Sequence, residues 1–209
     1  MPARPPVSVT IAMVTPADLD LLTIGHSNLP ADRFMALVQQ AGVTAIADVR
    51  SVPFSRRFPW FSGPKLSARL QGADIAYLPF GDALGGRPHD PALYCEGVAD
   101  YERMAATPQF RTGLDHVAAA MGRFRVCLMC AEREPLDCHR CLLVGRALAA
   151  RGSRLGHVLA DGTIEPHAAT EERLLGRAGL SDDLFEDRAT QLAQAYRDRA
   201  RKVAAHLKA

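Results

Sequence analysis

The sequence predicts an α/β protein: a Rossmann-like three-layer α/β/α domain around a mostly parallel sheet of about five strands, with C-terminal helices after it. Five apolar runs of buried-strand length are the first sign, at Leu21–Gly25, Val43–Val49, Ile75–Leu78, Val126–Met129 and Leu155–Leu159. Segments with apolar residues at helical spacing separate most of them, the alternation of a parallel sheet with right-handed crossover helices. Polar stretches begin where the strands end, and in such sheets ligands bind just past the strand C-termini.

Each element has local grounds. Residues 1–20, with Pro2, Pro5, Pro6 and Pro16, read as a poorly ordered lead-in. The first strand runs into His26-Ser27-Asn28. From Pro30 onward Phe34, Leu37, Val38 and Ala41 mark a helix that Gly42 stops. The second strand ends in Asp48-Val49-Arg50. Ser51 to Pro64 carries three prolines, two adjacent arginines and four aromatics, the composition of a long ordered loop. A short helix from Lys65 to Gln71 and the third strand follow, then a loop holding Asp82, Gly85, Gly86, Arg87, His89 and Asp90. Gly97 to Ala106 reads as helical. Pro108 opens a better helix with Phe110, Leu114, Val117, Ala118 and Met121 on one face.

After the fourth strand, Asp137 stands where an N-cap would, so that Cys138 and His139 begin a helix running to the Arg151-Gly152 stop. Asp161-Gly162 signals a turn after the fifth strand. Ala168–Gly176 and Ala189–Leu207 are helical, the latter with a stripe of Leu192, Tyr196, Ala200, Val203 and Leu207 that suits packing on its own domain, or less commonly a dimer contact. The expected division is a lead-in over 1–20, one α/β domain over 21–167 and a helical extension over 168–209.

Composition narrows the classes. With 48% hydrophobic and 23% charged residues the chain has the balance of an ordinary globular domain. A net charge of +2 argues against a broad nucleic-acid-coating surface, while a local basic cluster stays open. No apolar run approaches the roughly 18 residues of a membrane span, and Met1 to Pro16 lacks the regions of a signal peptide. Five cysteines, an odd number, fit reduced thiols and a cytoplasmic setting better than a disulfide framework.

The stretch from Arg125 to Arg151 gathers the chemistry. Cys130 at a strand end and Cys138 at a helix start are candidate nucleophiles, with His26 or His139 as proton-transfer partner. Glu132 and Asp48 supply further acid or base groups. Arg50, Arg56, Arg57, Arg87 and Arg140 offer forked donors for an anion, Gly85 and Gly86 let backbone approach it, and Ser27 joins the binding set. The topology brings these groups to one rim. Each also has a structural reading: arginines pair with carboxylates, polar groups cap helices, and buried cysteines are inert.

Cys127, Cys130, Cys138 and Cys141 form two C-x-x-C pairs, which invites a four-thiolate zinc site. Strand geometry opposes it, since Cys127 and Cys130 point to opposite faces and Cys141 belongs to the helix face that packs on the sheet; a metal site of Cys130, Cys138 and a histidine fits better, as a minority reading. The strand, loop and helix also suggest a thiol phosphatase, but the sixth residue after Cys130 is Leu136 and not arginine. Phe54, Phe58, Trp60 and Phe61 beside Arg56 and Arg57 suit either stacking on bases or folding onto the core. The reading that results is an enzyme, a hydrolase or group transferase, binding an anionic small molecule, a nucleotide or a nucleic-acid fragment. Its competitors are a non-catalytic nucleic-acid- or metabolite-binding or thiol-sensing module and a metal-dependent enzyme; no cofactor is predicted and a metal is not excluded.

Several motifs in order carry a family resemblance: Thr23 to Asn28 (TIGHSN), Asp48 to Phe61 (DVRSVPFSRRFPWF), Leu84 to Pro88 (LGGRP), Ala99 to Tyr101, Thr107 to Phe110, Met129 to Glu132 (MCAE) and Cys138 to Arg140 (CHR). The chain resembles the bacterial and archaeal domain-of-unknown-function family 488 over roughly Leu21 to His157, which implies a Rossmann-like α/β domain. Tyr94-Cys95-Glu96-Gly97 departs from the family pattern, so no role is carried onto Cys95. The helix from Ala189 lies outside the resemblance.

Overall fold

The computed structural model describes residues 18–180 and 187–206. Most of the lead-in read from the sequence, and Leu207 of the last helical stripe, lie outside the described residues.

The six-stranded sheet is built from β1 (Leu21–Gly25), β2 (Ala45–Asp48), β3 (Ala76–Pro79), β6 (Val126–Cys130), β7 (Leu155–Val158) and β8 (Ile164–Pro166), and β4 (Tyr94–Cys95) and β5 (Val98–Ala99) pair as a separate hairpin of two-residue strands. Its strand order is β3-β2-β6-β1-β7-β8. All pairings are parallel except β7 with β8. The five predicted strands are present, and β8 adds an antiparallel edge that three residues were too short to announce.

Side chains alternate across the strands and feed two cores. Leu22, Ile24, Ile46, Cys127 and Met129 pack with Phe34, Leu37 and Val38 of α1 (Ala31–Gln40) and Leu66 and Leu70 of α2 (Gly63–Gln71). On the opposite face Leu21, Ala45, Ala47, Val126, Leu128 and Cys130 meet the helices that follow α2, including α5 (Pro108–Met121), α6 (Arg146–Ala150), α7 (His167–Ala178) and α8 (Arg188–His206). Because the central strands are buried on both faces, they read as continuous apolar runs. Burying each large apolar side chain contributes about 1.5–3 kcal/mol against chain entropy. Tyr196, Ala200 and Val203 of α8 join this second core, so that stripe packs on the chain's own body.

Two local readings change. Gly97 lies in a hairpin turn: Glu96 and Gly97 have φ of 53° and 71°, the paired positive values of a tight β-turn. The helix α4 therefore starts only at Tyr101 (Tyr101–Ala106), where Asp100 accepts the Glu102 and Arg103 N–H groups. Asp137 is not an N-cap; it ends a short 3-10 turn, Pro135–Asp137, and its carboxylate pairs with Arg199. Cys138 takes the capping role instead. It is extended, its carbonyl accepts the Cys141 and Leu142 N–H groups, and its sulfur accepts the Arg140 N–H at 3.4 Å. From there Arg140–Gly145 winds as a π-helical stretch before α6, a widening often found at functional sites. In the loop after β3, Gly81–Leu84 forms one helical turn, α3.

Candidate functional site

Three adjacent strands, β2, β6 and β1, end side by side and deliver Asp48 to Arg50, Cys130 to Glu132 and His26 to one rim. A cavity of about 330 Å³ opens there, lined by His26, Arg50, Ser51, Val52, Phe54, Ser55, Gly86, Arg87, Cys130, Ala131, Glu132 and His139. Its size is at the lower end of small-molecule sites.

The chemistry is concentrated at one wall. Glu132 Oε2 lies 2.9 Å from Cys130 Sγ and 3.0 Å from Cys138 Sγ. His139 Nδ1 is 3.6 Å from Cys130 Sγ and 4.0 Å from Cys138 Sγ. The other ring nitrogen, Nε2, donates to the Val49 carbonyl at 2.8 Å. That carbonyl can only accept, so a neutral His139 must turn its Nδ1 lone pair to the sulfurs. All four donor atoms lie within 4.8 Å of one another.

The two thiols are pushed in opposite directions. Burial, with Cys138 and Glu132 beside it, pushes the Cys130 thiol well up. At Cys138 burial is outweighed by the Cys130 hydrogen bond, Arg140 and His139, and that thiol is pushed well down. Burial and the adjacent Cys138 also raise Glu132. His26 is lowered to about 4, by burial and by Arg50. The sulfur pushed down, Cys138, is buried outside the cavity lining, whereas the sulfur pushed up, Cys130, is on the cavity wall.

Arginines divide into two kinds. Arg87 is exposed at the cavity mouth, with its backbone N–H on Ser51 Oγ at 2.9 Å, leaving its guanidinium for a guest. Arg50 lines the cavity but is held below it: Nε and Nη2 grip Asp48 at 2.8 and 2.6 Å, Nη2 also reaches the Phe61 carbonyl, and Nη1 faces His26 Nε2 at 3.2 Å. Arg140 is fully buried and donates to the Glu132 carbonyl at 2.5 Å, the Arg133 carbonyl at 2.9 Å and Thr23 Oγ1 at 3.4 Å. It shapes the loop carrying Glu132 and lies outside the cavity lining. Arg56 and Arg57 are exposed and outside the cavity lining, Arg57 lying 5.5 Å over Phe58.

Other candidates serve the frame. Asp48 is spent on Arg50 and on the Tyr77 hydroxyl at 2.7 Å. Ser27 sits at φ 44° in the turn after β1, outside the lining. Gly85 packs where a Cβ would meet Ser51 Oγ at 2.4 Å, while Gly86 lies against the His139 ring and does line the cavity. Of the loop aromatics, Phe61 is buried and stacked on His26 at 4.1 Å, whereas Phe54 is exposed on the cavity wall. Sequence reasoning missed Ser51, Val52 and Ser55 as wall residues, Tyr77 behind Asp48, and the Val49 carbonyl that sets His139. A loop directly after a strand end was the one signal available for the first three.

A second buried cluster joins Cys141, His157 and His167. Arg140 Nε lies 3.4 Å from Thr23 Oγ1, Thr23 Oγ1 2.8 Å from His157 Nδ1, His157 Nε2 3.0 Å from His167 Nδ1, His167 Nε2 3.1 Å from the Tyr196 hydroxyl, and that hydroxyl 3.0 Å from Glu171. A guanidinium only donates and a carboxylate only accepts, so one direction of donation satisfies every link. Burial lowers both histidines, and the chain works with both neutral. This cluster is a closed structural ladder. Cys127, on the other face of the sheet, takes part in neither group.

Fold and rim together define an α/β protein with a thiol, carboxylate and imidazole cluster beside an arginine at the C-terminal edge of its sheet. Residues 30–147 match the family described as Domain of unknown function DUF488. The chain belongs to this family. No curated protein and no solved structure matches it. Among the described residues no helix is long and apolar enough to cross a membrane.

Proposed function

We propose that the protein is a hydrolase or group transferase acting on an anionic small molecule, of nucleotide or phosphate-ester character, bound in the rim cavity. One observation carries this reading: Cys130, Glu132 and His139 share the lining of a single cavity with Arg87 and Arg50. Arg87 offers an unspent fork to the anion. Glu132, raised by burial, is poised to take and return a proton at the wall where a bound group meets it. Arg50 keeps positive potential under the cavity floor without contributing a free fork.

Purified protein assayed against a panel of nucleotides, phosphate esters and anionic amides tests the reading. Glu132→Gln is expected to lower kcat by about 100-fold or more, and Arg87→Ala to raise KM for the same substrate. Turnover unchanged in Glu132→Gln would remove the proposed proton transfer.

A further inference from the structure

We propose that Cys130, Cys138 and His139 bind a thiophilic divalent cation of the zinc class, and that Glu132 is the base for the water on it. This rests on the enzyme reading above and names the nucleophile of that site.

The donor set has the chemistry and the spacing. Two sulfurs and one imidazole nitrogen converge, and His139 carries the outer contact typical of a metal-bound histidine: its far nitrogen donates to a backbone carbonyl, which fixes the ring and frees Nδ1. Zinc bonds of about 2.3 Å to sulfur and 2.0–2.1 Å to nitrogen in a tetrahedron place those atoms roughly 3.6 Å apart. The two sulfurs stand 3.6 and 4.0 Å from Nδ1. Glu132 Oε2, at 2.9 and 3.0 Å from the sulfurs, is tighter than a ligand in that tetrahedron would be. It occupies the place of the fourth, exchangeable group, from which it would withdraw to hydrogen-bond a bound water.

Tyr101 gives a separate indication. Its hydroxyl is buried and has no hydrogen-bond partner among the described residues, although Tyr101 itself is 5% exposed. An orphaned buried hydroxyl costs about 1–3 kcal/mol. Tyr101 packs in the same buried core as Cys130 and Cys138. A bound water within reach would give that hydroxyl the partner it lacks.

The step balances. The bound water gives a proton to Glu132, and its oxygen forms a bond to the electrophilic phosphorus or carbon of the anion. The leaving group departs with the electron pair of the broken bond and takes the proton from Glu132. Arg87 holds the anion through the step.

Cobalt(II) is the probe. Full-length protein is stripped with a chelator, titrated with cobalt(II), and followed by the near-ultraviolet sulfur-to-cobalt absorption, with elemental analysis of protein as purified. The expected result is a saturable absorption that is lost in Cys138→Ala, weakened at least tenfold in affinity in His139→Gln, and retained in Cys141→Ser, with circular dichroism showing each variant folded. Wild-type protein that neither carries nor takes up metal would overturn the proposal. So would an absorption lost in Cys141→Ser but kept in a Cys130→Ala/Cys138→Ala variant, which would put the metal on the second cluster. Hydrolysis that survives complete chelation removes the metal step and leaves the enzyme reading. Cobalt bound as described, with no anion hydrolysed by the zinc or cobalt form, removes the enzyme reading and leaves the metal site.

Discussion

Asp48→Asn probes the strongest electrostatic commitment beneath the cavity. Asp48 is 1% and Arg50 6% exposed. The carboxylate accepts Arg50 Nε at 2.8 Å, Nη2 at 2.6 Å, the Arg50 backbone N–H at 3.1 Å and the Tyr77 hydroxyl at 2.7 Å. The amide keeps the shape but removes the counter-charge and sets an NH2 group against another donor. A buried guanidinium left without its partner costs about 3–5 kcal/mol. Replacing both members with apolar side chains, as in Asp48→Leu/Arg50→Met, removes the stranded charge and is expected to cost less than the single change. Urea unfolding of the wild type and the two variants gives both numbers. A single-variant loss under about 1 kcal/mol, the scale of a solvent-exposed pair, would refute the claim that this pair is locked under the cavity floor.

Other outcomes follow from particular contacts. His26 is neutral when folded, with a value lowered from 6.5 to about 4, so the folded state binds fewer protons than the unfolded state between those values. Its contribution is complete above about pH 6.5 and is lost as pH falls toward 4, by up to about 3 kcal/mol; in melts from pH 7 to 4 His26→Gln should flatten this slope, and an unchanged slope would assign it elsewhere. Gly86→Ala places a Cβ 2.8 Å from His139 Cγ, so the ring must turn from Val49, with an expected stability loss of about 1–3 kcal/mol; wild-type unfolding would show that the ring is not confined. Arg56→Ala/Arg57→Ala changes two exposed side chains outside the cavity and should alter stability by no more than about 0.5 kcal/mol and cavity chemistry not at all. Loss of steeply salt-dependent single-strand binding in that variant would instead favour a nucleic-acid reading.

Much of the frame was legible because it rests on short-range patterns. The five apolar runs could be read as strands since both faces of the central strands are buried, and the parallel topology followed from the helices between them. Once the strands were placed, His26, Arg50, Cys130 and Glu132 had to share an edge. What escaped the sequence depends on where single atoms point. Arg140 and Arg87 are alike as letters, yet one spends its donors on Glu132, Arg133 and Thr23 while the other faces the cavity mouth. Asp137 had the composition of a cap, but Arg199 claims its carboxylate and Cys138 sulfur does the capping. The hairpin at Glu96-Gly97 was hidden because a residue other than Asn, Asp or Gly holds the first positive φ.

The central claim is that Arg87 draws an anion into the cavity whose wall holds Cys130 and Glu132. Its most direct test is the rate of Cys130 alkylation in chelator-treated protein by iodoacetate, which is anionic, against iodoacetamide, which is neutral. Exposed Cys95 serves as the reference in the same molecule. Cys130 should favour the anionic reagent several-fold more than Cys95 does, and Arg87→Ala should bring the two ratios together. A preference at Cys130 no greater than at Cys95, or one indifferent to Arg87, would contradict it.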